Sequence, residues 1–132
     1  KESGKVFVLV GDGECQEGTT WESILIAGNQ KLNNLVVIVD RNNIQGSGYV
    51  DEILPISALI AAAQFSGWDV IRADGHNVEQ LNTVLAYESG KPTLVQAFTT
   101  KGMGVSFMED QPAWHAKFLD PVHHKIAMKE LK

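Results

Sequence analysis

The chain has 132 residues, of which 44% are apolar, and this is enough for one domain with a hydrophobic core. Its net charge of −5 and its scattered lysines argue against a nucleic-acid-binding surface. The single cysteine, Cys15, excludes an internal disulfide and fits a reducing compartment, so we expect a cytoplasmic protein. Apolar runs stay far shorter than the roughly 18 residues of a membrane span, so we expect no membrane partner.

The first half of the chain alternates strand and helix patterns. An apolar, β-branched run predicts a strand at Val6–Val10, and helical spacing of apolar residues follows around Trp21–Gly28. A second strand is predicted at Leu35–Val39. Pro55 is placed to begin a second helix, over Ile56–Phe65.

The second half continues the same alternation. Strands are predicted at Trp68–Ile71 and Thr93–Ala97, with a helix over Val78–Leu85 between them. Pro121 is placed to open a last helix. Nearly continuous apolar strands are typical of a sheet that is buried on both faces. The sequence therefore predicts a doubly wound α/β fold, with a mainly parallel sheet and helices on both faces.

The organisation of the chain indicates a single domain over residues 1–132. Neither an internal repeat nor a linker divides it. The chain is already inside an apolar strand at Val6, so we expect an upstream part of the protein to precede it.

Polar residues and glycines follow all four predicted strands. These segments are Gly11–Gly13, Asp40–Asn43, Asp74–His76 and Thr99–Gly102. In open parallel sheets, ligands bind beyond the carboxyl ends of the strands. The sequence therefore predicts a ligand site at this edge of the sheet.

Two of these segments suit a metal ion and a phosphate. Glycines on both sides of Asp12 let the backbone turn sharply and approach a ligand, although an Asp-Gly turn alone is common. A strand–helix–strand unit of about 30 residues separates Asp12 from Asn42, and such a unit returns the chain to the same sheet edge. Carboxylate and amide oxygens suit Mg²⁺, and backbone N–H groups suit phosphate.

The motifs at this edge resemble those of a known family. Gly11-Asp12-Gly13, followed at this distance by Asn42-Asn43, resembles the thiamine-diphosphate fingerprint. The longer run Gly11–Gly18, with Trp21 and Glu22 behind it, is similar to transketolase. The resemblance implies that the chain has part of the thiamine-diphosphate-binding fold, as the carboxyl-terminal half of the diphosphate-binding domain.

A third motif narrows the resemblance. Lys101–Glu109, followed by Trp114-His115, resembles the separately encoded amino-terminal subunits of two-part transketolases. The resemblance extends from Val6 to Lys117. It implies that the assembly is a homodimer or a heterotetramer, and that another subunit or domain supplies the glutamate that binds the cofactor's pyrimidine ring.

The resemblance also implies the cofactor ligands. Mg²⁺ is bound by the side chains of Asp12 and Asn42 and by the carbonyl of Ile44. Gly11, Gly13 and Glu14 belong to the cofactor-binding segment, in which Gly13 and Glu14 offer backbone N–H groups to the diphosphate.

Two residues have implied catalytic roles, each with a structural alternative. Glu17 matches a glutamate near the dimer axis, in a hydrogen-bonded network between two cofactors. A plain acidic residue at a helix start is the alternative. His115 matches a histidine beside the diphosphate and the reacting end of the substrate. A loop histidine packed on Trp114 is the alternative.

The sequence departs from the family pattern at the following positions. The family usually has an aliphatic residue at Gly46 and an aspartate at Ser47, so Gly46 predicts a larger pocket or a looser loop. Ala116 replaces a usual glycine. Cys15 replaces a larger apolar residue, and we interpret it as a small buried side chain that is not a nucleophile.

The activity implied by the resemblance is ketol transfer between sugar phosphates. Two other thiamine enzymes remain as alternatives, a 2-oxo-acid dehydrogenase α-chain and deoxyxylulose-phosphate synthase, although the Lys101–Glu109 run disfavours both. A non-catalytic cofactor-binding subunit is another alternative. A generic α/β nucleotide binder is disfavoured because Gly-x-Gly-x-x-Gly does not follow the first strand. We expect this chain alone to show no transketolase activity.

Overall fold

The centre of the molecule is a parallel sheet of four strands. The computed structural model describes residues 4–132. Across the sheet, the order of the strands is β1-β2-β6-β5, and every neighbouring pair is parallel. Their bounds are β1 (Val6–Gly11), β2 (Leu35–Arg41), β5 (Asp69–Asp74) and β6 (Thr93–Phe98). All four strands were predicted, and each continues further at its carboxyl end than the sequence pattern indicated.

Helices connect the strands, and a small hairpin follows β2. The helices are α1 (Gly18–Asn29), α2 (Val50–Ile53), α3 (Ser57–Phe65), α4 (Val78–Ala86) and α5 (Pro121–Glu130). The hairpin pairs β3 (Ile44–Gln45) with β4 (Gly48–Tyr49). Two single 3₁₀ turns cover Glu14–Gln16 and Pro112–Trp114. The hairpin, α2 and the 3₁₀ turns were not predicted, because segments this short carry no periodic pattern.

The alternation of side chains along β2 builds a core on each face of the sheet. Val37 and Val39 belong to a cluster with residues of α1 and α3. Val36 belongs to a second cluster, against which residues of α4 pack. Because successive side chains of a strand point to opposite faces, one apolar strand supplies both cores. The predicted doubly wound α/β fold is confirmed.

Close packing fixes α1 against the segment that leads into β5. The indole N–H of Trp68 donates a hydrogen bond to the carbonyl of Ile24 at 2.8 Å. A Cβ built on Gly28 would lie 2.3 Å from the carbonyl oxygen of Ser66, so only glycine allows this approach. The position of α1 sets the position of the turn before it, which contributes to the site described below.

Strand β1 is an apolar edge of the sheet. Leu9 is 69% exposed, and Val6 and Phe7 are also exposed. Among residues 4–132, only β2 pairs with β1. The unpaired backbone groups of an edge strand are open to a further strand. In the part of the chain that the structure describes, every helix is too short or too polar to cross a bilayer.

Candidate functional site

A cavity of about 420 Å³ lies at the carboxyl ends of β1 and β2. Strand register brings these ends level, since Gly11 pairs with Asp40 and Asp40 pairs with Ala97. All eight residues predicted for the site line the cavity, together with four others. The lining residues are Gly11, Asp12, Gly13, Glu14, Glu17, Asp40, Asn42, Ile44, Gln45, Gly46, Lys101 and His115.

Asp12 is buried with one oxygen unsatisfied. It is 2% exposed. Its Oδ2 accepts a hydrogen bond from the backbone N–H of Asn43, whereas its Oδ1 has no partner among the described residues. Burial raises the pKa of the Asp12 carboxyl above its ordinary value, and the Asn43 hydrogen bond opposes this only in part. A buried polar atom without a partner is costly, so a cation beside Oδ1 would stabilise this arrangement.

The loop after β2 places a backbone hydrogen-bond donor beside Asp12. Asn43 has a φ of 61°, in the left-handed region that asparagine tolerates better than most residues. This turn carries the N–H of Asn43 to Asp12. The side chain of Asn43 in turn accepts the N–H of Asp51 at 3.0 Å, which holds the loop against the start of α2.

The amide of Asn42 is oriented by Asp40. Asn42 Nδ2 donates to Asp40 Oδ2 at 3.1 Å, and the hydroxyl of Thr99 donates to the other oxygen of Asp40. Asn42 Oδ1 accepts the N–H of Ile44 at 3.0 Å. With its amide nitrogen held by Asp40, the asparagine presents oxygen and not nitrogen to its own loop. No separate role was predicted for Asp40. Its position two residues before Asn42 could have indicated this contact with the Asn42 amide.

The donor set fits a hard cation. Oxygen atoms are available from Asp12, Asn42 and the carbonyl of Ile44, and these are the ligand types that Mg²⁺ prefers. Within residues 4–132, no group of three or more His, Cys, Asp or Glu side chains could hold a metal by itself. A cation here would therefore take further oxygen atoms from water or from a bound anion.

The turn after β1 presents free backbone donors. Among the described residues, no acceptor is found for the N–H groups of Gly13 and Glu14. The N–H of Gly11, by contrast, donates to Glu14 Oε2 at 2.7 Å. Successive unpaired N–H groups in a turn can bind an anion, so the free N–H groups of Gly13 and Glu14 agree with their predicted role, which stays a prediction.

The charges of the cavity wall are mostly negative. The lining residues include four carboxylates, those of Asp12, Glu14, Glu17 and Asp40, and one positively charged side chain, that of Lys101. An anion alone would be repelled by this wall. A divalent cation bound with the anion would offset much of this negative charge and attract the anion directly.

Glu17 lies at the start of α1 and also lines the cavity. It occupies the N-cap position, but its side chain makes no capping hydrogen bond. The alternative of an acid favoured at the helix start by the dipole needs no such hydrogen bond and stays open. Its predicted place in a network between two cofactors stays a prediction.

His115 reaches the cavity from the far end of the chain. It follows the Pro112–Trp114 turn, is exposed, and lines the cavity wall. The ring partners of Trp114 in the described part of the chain are Phe107 and His123. No ring pair between His115 and Trp114 is found among these residues, and the role of His115 stays a prediction.

Two departures from the family pattern have a structural reading. Gly46 has no positive φ, and a Cβ added to it would lie 3.9 Å from His115 Cδ2. Nothing in the backbone requires glycine, so the missing side chain leaves space beside His115, which favours the larger pocket over the looser loop. Cys15 is buried, and burial raises the pKa of its thiol to about 12, as expected for a residue that is not a nucleophile.

Comparison with known proteins identifies similar chains. Residues 2–129 match the family model described as transketolase, thiamine diphosphate binding domain. The chain is 39% identical to an apulose-4-phosphate transketolase subunit of Actinobacillus succinogenes, covering 100% of this chain and 50% of that protein. It is 35% identical to the 6-deoxy-6-sulfo-D-fructose transketolase subunit SqwG of a Clostridium species, covering 96% of this chain and 47% of that one. The chain thus spans about half the length of these relatives.

A solved structure shows the same fold. The crystal structure of transketolase from Campylobacter jejuni superposes with a TM-score of 0.88 at 32% identity. The alignment covers 97% of this chain and 20% of that one.

Proposed function

The chain belongs to the family of transketolase thiamine-diphosphate-binding domains, and from this premise we propose that its cavity binds Mg²⁺ together with the diphosphate of thiamine diphosphate. The observation that carries the proposal is the buried, unpartnered Oδ1 of Asp12 in a cavity with oxygen donors and free N–H groups.

The proposed metal ligands are Asp12 Oδ1, Asn42 Oδ1 and the carbonyl of Ile44. The diphosphate would complete the coordination, because Mg²⁺ usually keeps several oxygens that the protein does not supply. Asp40 holds the amide nitrogen of Asn42, which leaves Oδ1, already an acceptor from the N–H of Ile44, as the atom of this side chain that would bind the metal. The N–H groups of Gly13 and Glu14 would bind the diphosphate oxygens.

The proposed activity of the whole protein is ketol transfer between sugar phosphates. Bound thiamine diphosphate supplies the chemistry that breaks and forms carbon–carbon bonds. His115 would hold an oxygen of the substrate through a ring nitrogen, since it lines the cavity and is otherwise exposed. Glu17 would join the network near the dimer axis.

The proposed partner is a subunit or domain that carries the glutamate for the pyrimidine ring. Relatives named as single subunits of apulose-4-phosphate transketolases support a two-part assembly. The relatives' names also indicate that related subunits act on unusual ketoses, including a sulfonated one. We infer a homodimer or a heterotetramer in which the acidic cavity described here is one half of each active site.

Titration calorimetry on the complete protein tests the cofactor site. Asp12→Ala and Asn42→Ala should each weaken Mg²⁺-dependent binding of thiamine diphosphate by a factor of about ten or more, equal to about 1.4 kcal/mol. Asp69→Ala and Asn34→Ala are matched controls, because both residues lie at the opposite, amino-terminal end of the sheet. They should leave the affinity unchanged.

Two outcomes would contradict parts of this proposal. Unchanged affinity in Asp12→Ala would remove the metal site. Tight binding with no ketol transfer, in the presence of the partner and several ketose phosphates, would indicate a non-catalytic cofactor-binding subunit.

A further inference from the structure

Three aromatic rings join the last helix to the loop that carries His115. The ring centroids of Phe107 and Trp114 are 5.1 Å apart, those of Phe107 and His123 are 4.9 Å apart, and those of Trp114 and His123 are 5.3 Å apart. All three side chains are partly buried. The planes are inclined by 60–64°, the tilted arrangement that aromatic pairs favour. We refer to these three residues as the ring cluster.

The start of α5 fixes the orientation of His123. One oxygen of Asp120 accepts the N–H groups of Val122 and His123, each at 2.9 Å, and so caps the helix. The other oxygen lies 2.7 Å from His123 Nδ1. A single carboxylate therefore sets both the helix start and the position of the imidazole ring.

The end of α5 is tied to the same loop. Glu130 accepts hydrogen bonds from the N–H and the hydroxyl of Ser106, at 2.7 and 2.8 Å. Leu131 lies so close to the loop that a Cβ on Gly104 would be 3.0 Å from its side chain. Because α5 contacts the loop at both of its ends, it restrains the position of the loop.

His115 is next to Trp114 within one short turn. The N–H of Trp114 bonds to the carbonyl of Gln111 and the N–H of His115 to that of Pro112, both at 3.0 Å. This turn transmits the position of Trp114 to its neighbour. His115 has no ring contact of its own in the described residues, and helix α5 contributes nothing to the cavity wall.

We propose that His123 is a positioning residue, which through the ring cluster holds His115 at the cofactor cavity. The proposal rests on the proposed function, because it assumes that His115 acts on the substrate. It assigns to α5 a part in catalysis although no residue of α5 lines the site.

Steady-state kinetics on the complete protein test the proposal. His123→Ala removes one ring and should lower kcat by about 10- to 100-fold, the effect of a small displacement of a reacting group. The dissociation constant of Mg²⁺–thiamine diphosphate should stay unchanged, since Asp12 and Asn42 are not touched. His123→Phe keeps a ring and should retain most of kcat. His124→Ala is the matched control, an exposed histidine on the same helix outside the cluster, and should behave as wild type.

Amide hydrogen exchange supplies a second readout that does not depend on activity. Exchange over residues 112–117 should accelerate in His123→Ala and not in His123→Phe or His124→Ala. If wild type is active and His123→Ala has the same kcat, the positioning role is overturned and the proposed function stands. The same holds if kcat falls in His123→Ala only because less of the protein is folded. A wild type that binds no cofactor and transfers no ketol group would overturn the proposed function and this inference with it.

Discussion

Asp12→Asn should have opposite effects on the metal-free and the cofactor-bound protein. The variant keeps an oxygen that can accept the N–H of Asn43, and it removes the negative charge. A buried polar group without a partner costs about 1–3 kcal/mol, and more when it is charged. The amide nitrogen that replaces Oδ1 also lacks a partner, so only the charged part of this cost is relieved. We expect the metal-free variant to be about 1 kcal/mol more stable than wild type.

Binding of Mg²⁺ and thiamine diphosphate should make wild type more stable than Asp12→Asn. A ligand that binds only the folded state at about 100 times its dissociation constant adds about 2.7 kcal/mol of stability. Wild type should gain this from Mg²⁺ and thiamine diphosphate, whereas Asp12→Asn should gain little. Urea unfolding of the complete protein, with and without both ligands, measures the four free energies. A metal-free Asp12→Asn that is less stable than wild type would contradict the expected cost of the buried charge, and a gain equal to that of wild type would contradict the metal site.

Four further predictions concern packing, reactivity, pH and catalysis. Gly28→Ala should lower the free energy of unfolding by about 1–2 kcal/mol, because overpacking costs about 1–3 kcal/mol and the better helix propensity of alanine offsets only about 1 kcal/mol. The control is Gly18→Ala, whose Cβ would meet nothing within 4 Å, and its free energy of unfolding should not fall. Cys15 should resist iodoacetamide in the native protein at pH 8 and react once urea unfolds the chain, as followed by mass spectrometry. The hydrogen bonds from Ser106 hold the pKa of Glu130 below its ordinary value of 4.5. The attachment of α5 to the loop should therefore be complete above pH 4.5 and weaken as the pH falls. Amide exchange should follow this pH dependence in wild type and lose it in Glu130→Gln. His115→Ala should lower kcat while the free energy of unfolding changes by less than about 1 kcal/mol, and a variant that unfolds would assign His115 to the fold.

The sequence alone determined the four strands of the sheet, the four longer helices and the edge at which the site lies. Continuous β-branched runs such as Leu35–Val39 predict buried parallel strands because their composition is local information. The Gly-Asp-Gly turn and Asn42 predicted where ligand groups gather, since the carboxyl ends of parallel strands meet at one edge. The same motifs indicated the family to which the chain belongs.

Only the tertiary structure decided how the site residues are held. The sequence placed Trp68 at the start of a strand, but the strand begins at Asp69 and the Trp68 indole donates a hydrogen bond to α1. The unpartnered oxygen of Asp12 and the attachment of Asn42 to Asp40 could not be predicted, because each depends on the dihedral angles of a loop. The same is true of the ring cluster, whose members belong to a loop and to α5 and meet only when α5 folds back on the loop. Local patterns specify elements, whereas contacts of this kind exist only after the elements have packed.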